Sequence, residues 1–226
     1  MKTTPPIPRW LGRAAVAALC LAAMPSAQAH IERGEVGGFV SGFKHPWSGL
    51  DHIAAMVAVG LWGAQLGAPA IWLLPVTFPL VMAVGGFMGL VGIPLPGVEY
   101  GIGLSALLLG LMVAAEVRPR HLVWPAVLVG AFGLFHGHAH GTELPPGESG
   151  LLYSIGFVVA TGTLHGCGIG IGFIHRWSSG KVALRVCGAA IALIGVYFVW
   201  EAAHPEPGGP QPAAIAVPAA APRPAP

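Results

Sequence analysis

The stretch from Phe135 to Glu143 concentrates side chains that bind divalent metal ions, with three histidines and a glutamate within nine residues. His136, His140 and Glu143 follow one another at i, i+4 and i+7, which a helix places on one face. At this spacing two imidazoles and a carboxylate can meet one ion, as paired histidines do in helical zinc sites. Imidazole suits nickel, copper, zinc and iron. His138 points roughly the opposite way, so it is either a second site or a bystander; simple capping of a helix C-terminus is the structural alternative.

A second group of candidate ligands lies earlier in the chain, where Asp51 and His52 precede an uninterrupted apolar run. Ionisable residues at membrane depth are costly and are functional by default. If the chain is helical from His45, then His45 and His52 share a face, and Pro46 fits the first turn of that helix. Asp51 can accept a hydrogen bond from a ring N–H of a neighbouring histidine. The structural alternative is an N-cap aspartate beside a hydrogen-bonded interfacial histidine.

Four further residues are weaker candidates for the path of an ion. His165 lies past the middle of an apolar segment, with Cys167 nearby as a softer donor. A histidine hydrogen-bonded between tightly packed helices is the alternative. Glu99 begins another segment and could line an entrance, and His30 would offer an amine and an imidazole if it became the N-terminus, although a spectator histidine is equally compatible. Small residues that predict close helix approach surround His165: Gly162, Gly166 and Gly170.

The composition predicts that these residues sit in a membrane protein. Of the 226 residues, 54% are hydrophobic and only 9% are charged, against roughly 25% charged residues in soluble domains. Six apolar segments approach the ~20 residues that a membrane helix needs. We therefore expect an all-α, polytopic helical bundle with six transmembrane helices at 49–68, 71–92, 98–115, 122–140, 150–174 and 182–202.

The two ends of the chain differ from this bundle. Lys2, Arg9 and Arg13 precede a short apolar run and the small residues Ala27-Gln28-Ala29, which is typical of a cleaved signal peptide. An uncleaved anchor is the alternative. The predicted organisation is a signal peptide over 1–29, a six-helix transmembrane domain over 30–204, and a disordered Pro/Ala-rich tail over 205–226.

The distribution of charge predicts an orientation. The basic residues between predicted helices fall in alternate turns, and cytoplasmic turns carry the excess of Lys and Arg. This places the mature N-terminus on the outer side of the membrane. The expected localisation is the bacterial cytoplasmic membrane, with the mature N-terminus in the periplasm. Nearly all of the acidic residues then lie at the outer helix ends, where they would attract an incoming cation.

The two motifs resemble those of the HupE/UreJ family of nickel permeases, which serve hydrogenase and urease maturation. The His-x5-Asp-His motif of that family is matched by His45, Asp51 and His52. Its Phe-His-Gly-x-Ala/Val-His-Gly-x-Glu motif is matched by Phe135, His136, Gly137, Ala139, His140, Gly141 and Glu143, with His138 at the variable position. The resemblance implies uptake of Ni²⁺ into the cytoplasm, six mature membrane helices and a histidine near the mature N-terminus. Spacing by itself indicates only a divalent metal with nitrogen and oxygen ligands.

Three functions compete at this point. A permease needs several binding positions that are weak enough to release the ion, with Ni²⁺ or Co²⁺ as the transported substrate. A membrane-embedded zinc hydrolase would use the same ligands with one position open for water, and a metal sensor or buffer would need no path. We expect a permease rather than an enzyme, with no organic cofactor and no nucleic-acid partner; homo-oligomerisation is left open.

Overall fold

The computed structural model describes residues 35–205, and for Glu35 and Val36 only the backbone. The predicted signal peptide over 1–29, His30, and the predicted tail beyond Pro205 lie outside the described residues. The described part is helical throughout and contains no strand, which confirms the all-α prediction for these residues. Its elements are α1 (Glu35–Ser48), α2 (Leu50–Leu66), α3 (Ala70–Leu90), α4 (Val98–Ala114), α5 (Val123–Thr142), α6 (Gly150–Gly172), a 3-10 turn (Phe173–Arg176) and α7 (Ser178–Ala203).

Helices α2 to α7 coincide with the six predicted apolar segments to within a few residues. Three helical stretches are long and apolar enough to cross a membrane: α3, α6 with its 3-10 turn, and α7. Helices α2 and α4 are apolar but shorter, at 17 residues each. Large apolar side chains also cover the outside of the bundle, among them Trp72, Val123 and Leu193, each about 70% exposed. Such a surface needs lipid around it.

Glycines set the packing of the bundle. Helix α3 packs chiefly on α5, α4 on α7, and both α1 and α2 on α6. Within the α3–α5 pair, a methyl group added to any of four glycines would come within 2.5 Å of a backbone oxygen of the other helix. Without a hydrophobic force between helices in lipid, such backbone contact is what holds a pair together. The four glycines are Gly85 and Gly89 of α3, and Gly137 and Gly141 of α5.

The close approach predicted for Gly162, Gly166 and Gly170 is wrong. A methyl group added to any of these three would meet nothing within 4 Å, because this side of α6 is exposed. The glycines that pack α6 against α2 are Gly168, opposite Gly60, and Gly172, opposite Leu61 and Ala64. Spacing reveals a stripe of small residues, but several stripes on one helix compete, and only the partner helix decides which of them is used.

Helices α1 and α2 form one interrupted element, and α1 was not predicted. Gly42 of α1 contacts Tyr153 near the start of α6, and Gly60 of α2 contacts His165 further along it. The two helices therefore run in the same direction along α6, with the break at Gly49 between these contacts. Gly49 has extended backbone (φ −103°, ψ 121°), and Pro46, expected in a first turn, lies instead in the last turn of α1.

Candidate metal centre

The break between α1 and α2 brings the first motif against the second. The ring centroid of His45 lies 4.7 Å from that of His140, and His52 lies 4.9 Å from His140 and 4.7 Å from His136. His45 and His52 remain 6.2 Å apart even though they belong to different helices. The four imidazoles of the two motifs thus interleave in one cluster, which we call the histidine cluster.

The exposed end of the histidine cluster combines two imidazoles with a carboxylate. His45 Nε2 lies 2.9 Å from Oε2 of Glu143, which ends α5 as its C-cap residue. One ligand atom each from His45, His140 and Glu143 can be chosen so that all three lie within 4.8 Å of one another. These atoms could hold a divalent cation together. His45 occupies the place in this group that helical spacing had assigned to His136.

Asp51 orients His52 at the start of α2. Its Oδ1 accepts hydrogen bonds from the backbone N–H of His52 at 2.8 Å and from Nδ1 of the same residue at 2.9 Å. A side chain at Gly49 would obstruct this pair, because its Cβ would lie 2.6 Å from Asp51 Oδ1. The carboxylate also suits the first turn of a helix, where the backbone dipole is positive. His52 is left with Nε2 pointing away from Asp51.

His136 of α5 forms a hydrogen bond with Ser105 of α4. Its Nε2 lies 2.8 Å from Oγ of Ser105, and both side chains are fully buried. Ser105 is next to the middle residue of α4, so the cluster reaches from the end of α5 to mid-height of the bundle. The helix break at Gly49 lets His52, near the start of α2, lie inside the bundle beside His136.

Many of the buried imidazole nitrogens lack a hydrogen-bond partner. Native structures leave few buried polar groups unpaired, and each such group needs an explanation, such as a role in binding an ion. Here the unpaired atoms converge on one region rather than being scattered through the core. Within the described residues they are Nε2 of His52, Nδ1 of His136, and both ring nitrogens of His140 and of His165.

His165 stands beyond the cluster, separated from it by one aromatic ring. The ring of Phe78 lies 5.4 Å from that of His136 and 5.3 Å from that of His165, perpendicular to the latter. Both Phe78 and His165 are almost completely buried. The line of imidazoles therefore continues past the middle of α6, as its position in the sequence predicts, but it is interrupted by an apolar side chain.

Other predicted site residues lie apart from the cluster. The Nε2 atom of His138 is 2.8 Å from the carbonyl oxygen of Ile93 and is thereby satisfied. Glu99 is exposed in the first turn of α4 and contributes no atom to the group of His45, His140 and Glu143. Cys167 is exposed whereas His165 is buried, so the two side chains leave α6 on different sides.

Sequence reasoning missed the residues that line the cluster. The ring of Phe157 stacks on His140 with centroids 4.9 Å apart and planes 19° apart, and Tyr153 lies 6.0 Å from His45. Phe78 and Ser105 belong to the same lining. Aromatic residues are common in apolar helices and give no signal by themselves. Ser105 was detectable as a single hydroxyl in the middle of an apolar segment.

Comparison with known proteins identifies the family of this chain. The family model described as HupE / UreJ protein matches residues 17–198. Protein HupE of Rhizobium leguminosarum bv. viciae is 47% identical over 178 residues, which cover 78% of this chain and 92% of that protein. The chain belongs to the HupE/UreJ family. No solved structure matches it.

Membership in the HupE/UreJ family decides between the classes of function. Members of the family are permease-type accessory membrane proteins rather than enzymes. The prediction that this chain is not a membrane-embedded hydrolase is thereby confirmed, as is its membrane character.

Proposed function

We propose that this protein carries Ni²⁺ across the bacterial cytoplasmic membrane into the cell, to supply hydrogenase or urease maturation. The observation that carries the proposal is the single file of unpaired imidazole nitrogens from His140 through His52 and His136 to His165. Neutral imidazole and carboxylate suit a borderline divalent ion such as nickel. Conduction requires several binding positions in series. Each position should have few ligands, because the ion must be able to leave it as well as enter it.

The proposed orientation uses six membrane crossings, with α1 and α2 together as the first. At ~1.5 Å per residue, the 17 residues of α2 span about 26 Å, short of the ~30 Å apolar thickness of a bilayer. Helix α1 supplies the remaining length along the start of α6. Interrupted membrane helices place ion sites near the bilayer midplane in other transporters. Charge supports a periplasmic N-terminus, since Arg118, Arg120 and Arg185 then face the cytoplasm.

We further propose the order in which the ion meets its ligands. The group of His45, His140 and Glu143 is the entry position, because Glu143 is half exposed and offers a charge to the aqueous side. His52 and His136 form the next position, and His165 the last. Asp51 compensates the positive charge of the ion in the interior, where a bare cation would be costly.

The test is nickel accumulation in cells that lack their own nickel uptake. Wild-type protein should raise intracellular nickel, and His140→Gln should abolish the increase. His138→Gln is the matched control, since it changes the same residue type on the same helix but outside the file of unpaired nitrogens. Wild-type protein that inserts in the membrane without raising nickel would contradict the proposed function. Equal uptake by the two variants would contradict the site. Competition by Co²⁺ measures selectivity, which the Irving–Williams order makes modest at such ligands.

A further inference from the structure

Ser105 makes two contacts through one hydroxyl. Its Oγ lies 2.6 Å from the carbonyl oxygen of Ile102, one turn earlier in α4, and 2.8 Å from Nε2 of His136. The side chain is fully buried, so no water competes for either contact. A serine hydroxyl carries one hydrogen and can accept with its lone pairs.

The direction of both hydrogen bonds follows from the single hydrogen of the Ser105 hydroxyl. A carbonyl oxygen has no hydrogen, so the proton between Ser105 and Ile102 must belong to Ser105. The hydroxyl has then no second proton to give, and its Oγ accepts from His136. Nε2 of His136 therefore carries the ring hydrogen, and in neutral imidazole the lone pair is left on Nδ1.

The lone pair is thus on Nδ1 of His136, which is the ring nitrogen that has no hydrogen-bond partner in the described part of the chain. Nδ1 of His136 is buried without a hydrogen bond among the described residues, and so is Nε2 of His52, whose ring lies 4.7 Å away. Each of the two histidines is thus held at one nitrogen by an oxygen acceptor, Ser105 or Asp51, and presents the other nitrogen. Metal-binding histidines usually have such an acceptor on their second nitrogen.

We propose that Ser105 is a positioning residue for the metal path, and that His136 binds the passing ion through Nδ1. This inference rests on the proposed function. Because a hydroxyl is a neutral acceptor, it orients His136 without adding the charge that Asp51 adds behind His52. His136 is therefore a weaker metal ligand than His52. This suits a position from which the ion must move on toward His165.

The first experiment measures nickel binding to the purified full-length protein in nanodiscs by titration calorimetry. We expect Ser105→Ala to weaken binding about 10- to 100-fold, the usual effect of removing such a partner. Thr163→Ala is the control, since Thr163 also donates to a carbonyl one turn back, Val159, but is exposed and makes no hydrogen bond to an imidazole of the described residues. Wild-type affinity in Ser105→Ala would overturn the proposal.

The second readout uses no metal. Nitrogen NMR of ¹⁵N-histidine-labelled protein separates protonated from unprotonated ring nitrogens, and His136→Gln identifies the signals of His136. We expect a protonated Nε2 and an unprotonated Nδ1 in wild type, and loss of this single form in Ser105→Ala. The opposite tautomer in wild type would overturn the proposal even if nickel is transported. Failure of wild type to bind nickel, with the expected tautomer present, would instead overturn the proposed function.

Discussion

Substitution of Gly137 by alanine tests whether the crossing of α3 and α5 sets the geometry of the histidine cluster. A methyl carbon at Gly137 would lie 1.9 Å from the carbonyl oxygen of Met82 and 2.9 Å from the backbone nitrogen of Gly86. Ordinary contact begins near 3.4 Å, and 3.4 − 1.9 is 1.5, so the helices must part by about 1.5 Å at this point. Backbone atoms cannot rotate away as a flexible side chain would.

Two effects of this separation can be estimated. Overpacking of a tight contact costs about 1 to 3 kcal/mol. Alanine is more favourable than glycine in a helix by about 1 kcal/mol, which offsets part of that cost. We therefore expect a net loss of folding stability. The functional effect should be larger, because binding sites must be held to within about 0.5 Å. A shift of about 1.5 Å beside His136 exceeds that tolerance, since Gly137 follows His136 directly and faces α3.

The assay compares Gly137→Ala with Gly130→Ala. Gly130 is also buried on α5 against α3, but its added methyl would meet only side-chain carbons of Val81 and Thr77, at 3.4 and 3.5 Å. Thermal unfolding in detergent and nickel uptake are measured for both variants. We expect Gly137→Ala to unfold at lower temperature and to lose most uptake, and Gly130→Ala to behave as wild type. Indistinguishable results for the two variants would refute the reasoning.

Two further predictions concern the interior of the path. Phe78→Ala removes the ring between the histidine cluster and His165. We therefore expect faster and less selective metal uptake, measured as the rates of nickel and of zinc accumulation in cells. Unchanged rate and selectivity would show that Phe78 is no barrier. Asp51→Asn keeps the size of the side chain and the Oδ1 acceptor but removes the negative charge beside Nδ1 of His52. Nickel affinity measured by calorimetry should therefore fall about 10- to 100-fold; retained affinity would show that binding does not depend on the charge of Asp51.

Helix positions and ligand types could be predicted from the sequence because they depend on local order. Apolar length predicts α2 to α7 to within a few residues, since every crossing of a bilayer needs about 20 apolar residues. Helical periodicity likewise identifies His136 and His140 as one face of α5. Helix α1 escaped prediction because its glycines and the polar Ser41 and Lys44 weaken the apolar signal.

Only the tertiary structure decided which residues meet. Spacing grouped His136 with His140 and Glu143, but the break at Gly49 puts His45 beside Glu143 and His52 beside His136. The reason is physical: periodicity describes the faces of one helix, whereas contacts between faces depend on helix crossings.

Those crossings in turn depend on which glycines meet a backbone. Gly137 and Gly141 meet the backbone of α3, whereas a methyl group added at Gly162 or Gly166 would meet no described atom within 4 Å, although both pairs have the same spacing. The order of its residues predicts a membrane bundle with candidate metal ligands in two motifs. Only the approach of helices that are distant in sequence brings the histidines of the two motifs into one cluster. The same approach places Ser105 at hydrogen-bond distance from His136.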